Sequence, residues 1–173
     1  DTYHVTSDVA TIPENAYQVT LQKGTGVQSV SGAGSYTMGQ SVTINATLAT
    51  GYHWKGWTGT YQTTTKRYTF SMPGQDVSMT ASAEINHSTL RVDPNGGTWN
   101  GSADVQSFIE NYGVAKSIPD PVRPGYTFSG WVKSDAFHGS LNNAVYTFGA
   151  EDGATDILTA SWTANSYTLH FDP

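Results

Sequence analysis

Two segments in the first half of the chain alternate hydrophobic and polar residues. Residues 17–21 (Tyr-Gln-Val-Thr-Leu) and residues 41–46 (Ser-Val-Thr-Ile-Asn-Ala) each place their hydrophobic side chains on one face. A period of two residues is typical of a half-buried β-strand. Turn-forming sequences, Gly-Ala-Gly at residues 32–34 and Pro-Gly at residues 73–74, punctuate this region. The pattern predicts a first module made mostly or entirely of β-strands.

One segment in the second half has a helical period instead. Its apolar residues are spaced i, i+3, i+4 and i+7, at Val105, Phe108, Ile109 and Tyr112. This spacing puts all four side chains on one face of an α-helix. Ser102 suits the N-cap, and Gly113 suits the position just after the last turn. We therefore predict a single helix that begins near Ala103 and ends at Tyr112.

An internal repeat organises the chain. Gly-Tyr-His-Trp-Lys-Gly-Trp at residues 51–57 matches Gly-Tyr-Thr-Phe-Ser-Gly-Trp at residues 125–131, and Tyr-Thr-Phe at residues 68–70 recurs at residues 146–148. The spacing between these motifs is longer in the second copy, which indicates an insertion within residues 135–143. Strict alternation places Phe128 and Trp131 on opposite faces of the repeated strand. Because the aromatic residues recur at equivalent positions, we interpret them mainly as core residues.

The register of the repeat predicts the domain organisation. Residues 1–16 form an N-terminal flank, residues 17–84 a first β module, residues 85–88 a linker and residues 89–163 a second module. Residues 164–173 form the start of a further repeat or a C-terminal flank, because Leu-Arg-Val-Asp-Pro at residues 90–94 is answered by Leu-His-Phe-Asp-Pro at residues 169–173. The predicted fold class is a β-rich α+β chain of two small tandem modules, with the single helix in the second.

Composition and charge narrow the possible functions. Only 13% of the residues are charged, 12% are aromatic, and the net charge is −6. An acidic chain without a basic cluster in its sequence is poorly suited to nucleic acid, so we expect no such partner. Cysteine is absent, which excludes disulfides, thiolate zinc sites and thiol nucleophiles. No apolar run approaches the roughly 18 residues that span a bilayer, so we expect no membrane insertion.

The second module resembles the Listeria–Bacteroides repeat, the B-repeat of internalin-type surface proteins. The matching segments are residues 90–97 (Leu-Arg-Val-Asp-Pro-Asn-Gly-Gly), residues 121–131 (Pro-Val-Arg-Pro-Gly-Tyr-Thr-Phe-Ser-Gly-Trp) and residues 158–165 (Leu-Thr-Ala-Ser-Trp-Thr-Ala-Asn). The first module is similar to a divergent relative of that repeat. It departs from the second module because it lacks the Asp-Pro-Asn-Gly-Gly opening and the helix. The resemblance implies a β-grasp-like (ubiquitin-like) fold with one helix, a tandem arrangement in bacterial cell-surface or secreted proteins, and no catalytic residues.

No sequence pattern predicts a catalytic centre. The five histidines, at positions 4, 53, 87, 138 and 170, have no metal-binding spacing. Glu151 and Asp152 fit a weak calcium site or a solvated turn, of which we favour the turn. An isopeptide bond between Lys23 and Asn45, with Glu84 as the assisting acid, would require a buried triad. We expect no enzymatic activity, no metal and no cofactor.

Two functional hypotheses remain. In the first, the modules are a stalk or spacer at the bacterial cell surface or in the cell wall, with neighbouring repeats of the same chain as partners and a role in adhesion. In the second, they bind a host glycan or a host surface protein through aromatic and polar side chains. The candidate ligand-binding residues lie outside the repeated motif: Tyr61, Trp99, Phe137 and His138.

Overall fold

The structure, a computed structural model, describes residues 15–171, so the predicted flank 1–16 lies almost entirely outside them. Every regular element within the described residues is a β-strand. The strands are β1 (Ala16–Lys23), β2 (Val27–Ser31), β3 (Gly34–Thr37), β4 (Ser41–Leu48), β5 (Tyr52–Gly59), β6 (Tyr68–Ser71), β7 (Val77–Ile85), β8 (His87–Asp93), β9 (Gln106–Asn111), β10 (Ala115–Ser117), β11 (Tyr126–Lys133), β12 (Ser140–Asn142), β13 (Val145–Thr147) and β14 (Thr155–Ala164).

The chain divides into two compact units. The first unit contains the described residues through Leu48 together with Trp54–Ala83, and the second contains Ala49–His53 and the residues from Glu84 onward. The turn before β5 and the first two residues of that strand therefore belong to the second unit. Each unit has its own hydrophobic core.

The first unit is built from a four-stranded and a three-stranded sheet. Their strand orders are β3-β1-β7-β5 and β2-β4-β6. The two alternating segments of the sequence lie within β1 and β4. The apolar positions of the pattern face the core, because Val42 and Ile44 are fully buried. Val19 and Met79 join them from the four-stranded sheet. The largest buried side chain in this core is Trp57.

The second unit repeats this plan with different loops. Its sheets have the orders β11-β14-β8-β9 and β10-β13-β12. In both units the first and last long strands, β1 with β7 and β8 with β14, pair in parallel at the centre of the larger sheet. The first strand of each unit is flanked on its other side by an antiparallel edge strand, β3 in one unit and β9 in the other. The core of the second unit is formed by Leu90, Val92, Trp99, Ile118, Tyr146, Phe148 and Leu158.

The predicted helix is absent, and the α+β class is wrong. Residues 15–171 contain no helix, and the predicted helical segment forms β9 instead, paired along its length with β8. Phe108 packs against the core, whereas Ile109 is 66% exposed. The residues of the apolar stripe are β-branched or aromatic and favour strands. Pairing with β8 extends over residues 106–111, so tertiary contacts overrode the helical spacing. The described part of the chain is all-β, so the helix expected from the implied β-grasp-like fold is wrong as well.

Candidate functional site

The repeated aromatic strand is an edge strand of the larger sheet in both units. A β-bulge between Phe128 and Gly130 inserts an extra residue, which brings Phe128 and Trp131 to the same face instead of opposite faces. Their rings meet edge to face with centroids 5.3 Å apart. Trp54 and Trp57 make the same contact in the first unit, at 5.5 Å. The motif therefore supplies an edge-to-face aromatic pair to each unit: Trp54 and Trp57 both pack in the first core, and Trp131 packs against the second.

Trp99, a predicted ligand-binding residue, lies in the core of the second unit. Its side chain is 1% exposed, and its Nε1 donates to the carbonyl of Pro119 at 2.8 Å. The ring contacts Phe108 and Trp131 edge to face. These contacts account for the tryptophan by packing, and its role in binding stays a prediction.

Tyr61, the second predicted binding residue, belongs to the first unit. It is partly buried against the core, and its ring contacts those of Tyr68 and Phe70, with centroids 6.1 and 5.1 Å away. The other three predicted binding residues all belong to the second unit. Its binding role is likewise untested by these contacts.

Phe137 and His138, the remaining predicted pair, lie in the inserted loop of the second unit. The ring of Phe137 packs edge to face on Tyr146, with centroids 5.8 Å apart. The backbone N–H of His138 donates to Oδ1 of Asp156 at 2.8 Å, and its Nδ1 lies 3.0 Å from the same oxygen. Nε2 of His138 faces Glu151 at 3.1 Å. Both residues thus help to hold the insertion against the core.

Asp156 is the polar centre of this arrangement. It is 1% exposed, and its Oδ2 accepts hydrogen bonds from the Gly139 N–H and the Tyr146 hydroxyl, both at 2.7 Å. With the bonds from His138, one buried carboxylate ties the insertion to β13 and β14. A buried charge is tolerated when several donors surround it in this way.

These contacts determine how the cluster titrates. Burial by itself would raise the pKa of Asp156, but hydrogen bonds from Tyr146, His138 and Gly139 outweigh burial and lower that pKa. The pKa of Tyr146 is raised, first by burial and then by its hydrogen bond to, and the negative charge of, Asp156. Asp156 is therefore ionised and Tyr146 neutral across the physiological pH range.

Sequence reasoning overlooked Asp156, although a signal was present. Asp156, Leu158 and Ala160 alternate along β14 and are all buried. A carboxylate in register with the apolar face of a strand indicates a buried acid that needs donors. The nearby insertion supplies such donors, the N–H groups of His138 and Gly139. These hydrogen bonds hold the insertion in place although it is longer than the corresponding loop of the first unit.

The first unit carries an open groove between β5, the end of β7 and the loop at residues 60–67. The cavity measures about 520 Å³, within the range of small-molecule sites. The residues that line it are mostly hydroxyl, amide or cationic: Lys55, Gly56, Trp57, Thr58, Gln62, Thr63, Thr64 and Ser82.

Hydrogen bonds to two tryptophans fix the loop beside this groove. The backbone N–H of Trp57 donates to Thr63 O at 2.8 Å, and that of Thr63 donates to Trp57 O at 3.1 Å. Nε1 of Trp54 donates to Thr64 O at 2.8 Å, and Nε1 of Trp57 to Lys66 O at 2.9 Å. The loop is therefore positioned before any ligand arrives.

The second unit has a different surface, formed by an arginine and aromatic rings. The guanidinium of Arg123 lies 3.9 Å from the ring centroid of Tyr126, and Phe128 meets Trp162 edge to face at 5.6 Å. Two shallow depressions share Arg123, Tyr126 and Trp162 in their walls. Arg123 also donates to Asn95 O at 3.3 Å, so its guanidinium is already engaged.

Catalytic and metal chemistry find little support among residues 15–171. The described histidines and carboxylates form no group of three or more that could hold a metal ion. Lys23 is exposed and its Nζ donates to Gln28 O, which does not fit the buried lysine that an isopeptide bond requires. Nor does this part of the chain contain a helix suited to crossing a membrane.

Comparison with protein-family models divides the chain as the repeat does. Residues 17–86 match the divergent InlB B-repeat domain, and residues 89–157 match the Listeria-Bacteroides repeat domain. The two matches confirm the two-unit organisation predicted from the internal repeat. No solved structure matches the chain.

Proposed function

Because residues 17–86 match the divergent InlB B-repeat domain and residues 89–157 match the Listeria-Bacteroides repeat domain, we propose that the chain is a non-catalytic spacer of a bacterial cell-surface or secreted protein. In this role it holds adhesive or other domains away from the cell envelope. Its partners are neighbouring repeats, and its location is extracellular. The family matches and the two separate cores support this proposal.

One recurring hydrogen bond carries the spacer proposal. The Asn86 N–H donates to Gly51 O at 2.8 Å, and the Asn165 N–H donates to Gly125 O at 2.9 Å. Each glycine opens the aromatic strand of its repeat, and each asparagine follows the last strand. In each repeat motif the residue after the last strand is thus bonded to the turn that opens the aromatic strand, and by compactness Gly51 and Asn86 both belong to the second unit. A bond that recurs at equivalent positions of successive repeats supports a regular array of modules, as a spacer requires.

Distance measurements between spin labels test the spacer function. The chain has no cysteine, so Gln75→Cys and Asp120→Cys place one label on an exposed site of each unit. We expect a narrow distance distribution that broadens when Gly-Ser-Gly-Ser is inserted after Asn86. The matched control places the same insertion at the exposed turn residue Gly39, where the distribution should stay narrow. A wild-type distribution as broad as that of the Asn86 insertion would refute a spacer.

A second candidate function is binding, and the groove of the first unit is the observation that favours it. Its hydroxyl and amide groups suit a carbohydrate, and its loop is held in place in advance. Under this proposal the ligand is a glycan or a glycosylated surface protein of a host. Tyr61, Trp99, Phe137 and His138 remain candidate contributors, of which Tyr61 belongs to the same unit as the groove.

A further inference from the structure

The two units differ in charge although the chain as a whole is acidic. Among the described residues of the first unit, four are Lys or Arg and one, Asp76, is acidic; those of the second unit include four basic and nine acidic residues. The described part of the first unit therefore carries a net positive charge within a chain of net charge −6. The net charge of the whole chain conceals this difference in charge between the units.

The positive charge is concentrated beside the groove. Lys55 lines it, and Lys66 and Arg67 follow the groove-lining Thr63 and Thr64 in the same loop. Nε1 of the buried Trp57 donates to Lys66 O at 2.9 Å, which fixes the backbone of the loop at that residue. Both Lys66 and Arg67 have exposed side chains. Of the four basic residues of this unit, one therefore lines the groove and two follow the groove-lining Thr64 in the loop that forms its wall.

We propose that this groove binds an acidic polysaccharide, with Lys66 and Arg67 pairing its acid groups and Gln62 and Thr64 hydrogen-bonding its hydroxyls. Guanidinium and ammonium groups recognise carboxylate and sulfate oxygens through charge-assisted hydrogen bonds. The side chains of Gln62 and Thr64 are exposed at the groove, so they are accessible to neutral parts of a sugar chain. Uronate and sulfate groups present the same chemistry, and the probes below separate them.

The second unit lacks the equivalent site, which makes it a built-in control. Its aromatic strand has no loop folded against it at Gly130, where an added Cβ would meet no atom within 4 Å. At the equivalent Gly56, an added Cβ would meet Thr63 O at 3.0 Å. The loop that forms the groove is therefore a feature of the first unit.

The inference deepens the binding function and is independent of the spacer function. The full chain is titrated with polygalacturonate, dextran sulfate, neutral dextran and double-stranded DNA at low and moderate salt, by biolayer interferometry. We expect binding to one or both acidic polysaccharides, weakened by salt through counterion release. Lys66→Gln with Arg67→Gln should weaken that binding roughly tenfold or more, since two charged contacts are lost.

Two further variants make the test specific. The matched control, Arg91→Gln with Lys133→Gln, removes the same charge from the second unit and should leave binding within about twofold. Gln62→Ala with Thr64→Val keeps every charge and should weaken polysaccharide binding while leaving any residual DNA binding unchanged. Circular dichroism of each variant, all at exposed positions, verifies that the fold is retained.

Each outcome bears on the proposal. Preference for polygalacturonate or for dextran sulfate supports it and identifies the acid group. Absence of binding to both acidic polysaccharides overturns it, as does an equal loss in the second-unit control or equal affinity for DNA. Binding of neutral dextran that the charge variant leaves intact also overturns it, but leaves the binding function standing.

Discussion

The two units place the same aromatic strand at the same edge of the same sheet, yet protect it differently. In the first unit, Thr63 exchanges two backbone hydrogen bonds with Trp57, so that a loop covers part of the strand. In the second unit, a Cβ added at the equivalent Gly130 would meet no atom within 4 Å, and the added loop length lies elsewhere, anchored by Asp156. A covering loop is a recognised way to protect an edge strand.

This difference separates what the repeat requires from what it permits. Both units share an edge-to-face aromatic pair on the repeated strand and the parallel central strands. Loop length is free, provided that the buried polar groups of each loop find partners. Loops on a fixed scaffold are where binding properties diverge.

Removing the motif tryptophan should have the largest effect and should affect the units unequally. Trp57 is fully buried and its Nε1 is bonded to Lys66 O, whereas Trp131 is only partly buried and its Nε1 has no partner. We expect Trp57→Ala to cost about 3–5 kcal/mol and Trp131→Ala clearly less. Urea denaturation followed by circular dichroism measures both, and equal losses would contradict the comparison.

Neutralising Asp156 should destabilise the second unit by about 2–4 kcal/mol, because Asp156→Asn leaves buried donors poorly paired. The wild-type unit should also be sensitive to acid. Since the native pKa of Asp156 is lowered, its contribution is complete above the unfolded pKa of about 3.9 and is lost as the pH falls through the native pKa.

The first unit serves as an internal reference for the acid sensitivity of the second. The single acidic residue among the described residues of the first unit, Asp76, is exposed, so this unit should depend less on pH. Hydrogen exchange of amides in both units at pH 7 and pH 3 tests this, with Asp76→Asn as the matched control. Equal loss of protection in the two units at pH 3 would show that Asp156 is not the cause.

The two glycines that open the aromatic strands should respond differently to alanine. Both have a positive φ, +78° at Gly51 and +79° at Gly125, so Ala costs about 1–2 kcal/mol at either site. An added Cβ at Gly51 would also collide with the ring of Tyr112, while at Gly125 it meets no atom within 4 Å. Gly51→Ala should therefore lower the melting temperature more. The double variant Gly51→Ala with Tyr112→Ala should remove the difference.

The smallest predicted effect concerns β9, the strand that forms where the sequence predicts a helix. Ile109 is 66% exposed in β9, so Ile109→Thr should change stability by less than about 0.5 kcal/mol. Phe108→Ala should cost several times more, because Phe108 packs on Trp99. In the helix that the sequence predicts, both residues would face the core. Similar costs for the two substitutions in chemical denaturation would therefore favour the helix.

The comparison also shows which features the sequence could predict. Alternation located β1 and β4 because one face of each strand is buried, and self-similarity located the repeat. The helix prediction was wrong because the spacing of Val105, Phe108, Ile109 and Tyr112 is a local signal. Pairing with β8 is a non-local interaction that this spacing does not report. The bulge that turns Phe128 and Trp131 to one face was equally invisible, because it depends on the partner strand. The positive groove was missed because the sequence was judged by whole-chain charge.

The parallel pairing of β1 with β7 and of β8 with β14 has a mechanical consequence. In each unit, the strand that enters and the strand that leaves lie side by side over five residue pairs. Tension applied along the chain pulls these two strands in opposite directions along their own length. Their interstrand hydrogen bonds are then sheared together instead of being unzipped one after another. Each repeat is thus built to resist stretching, with its strongest resistance along the line of the chain itself.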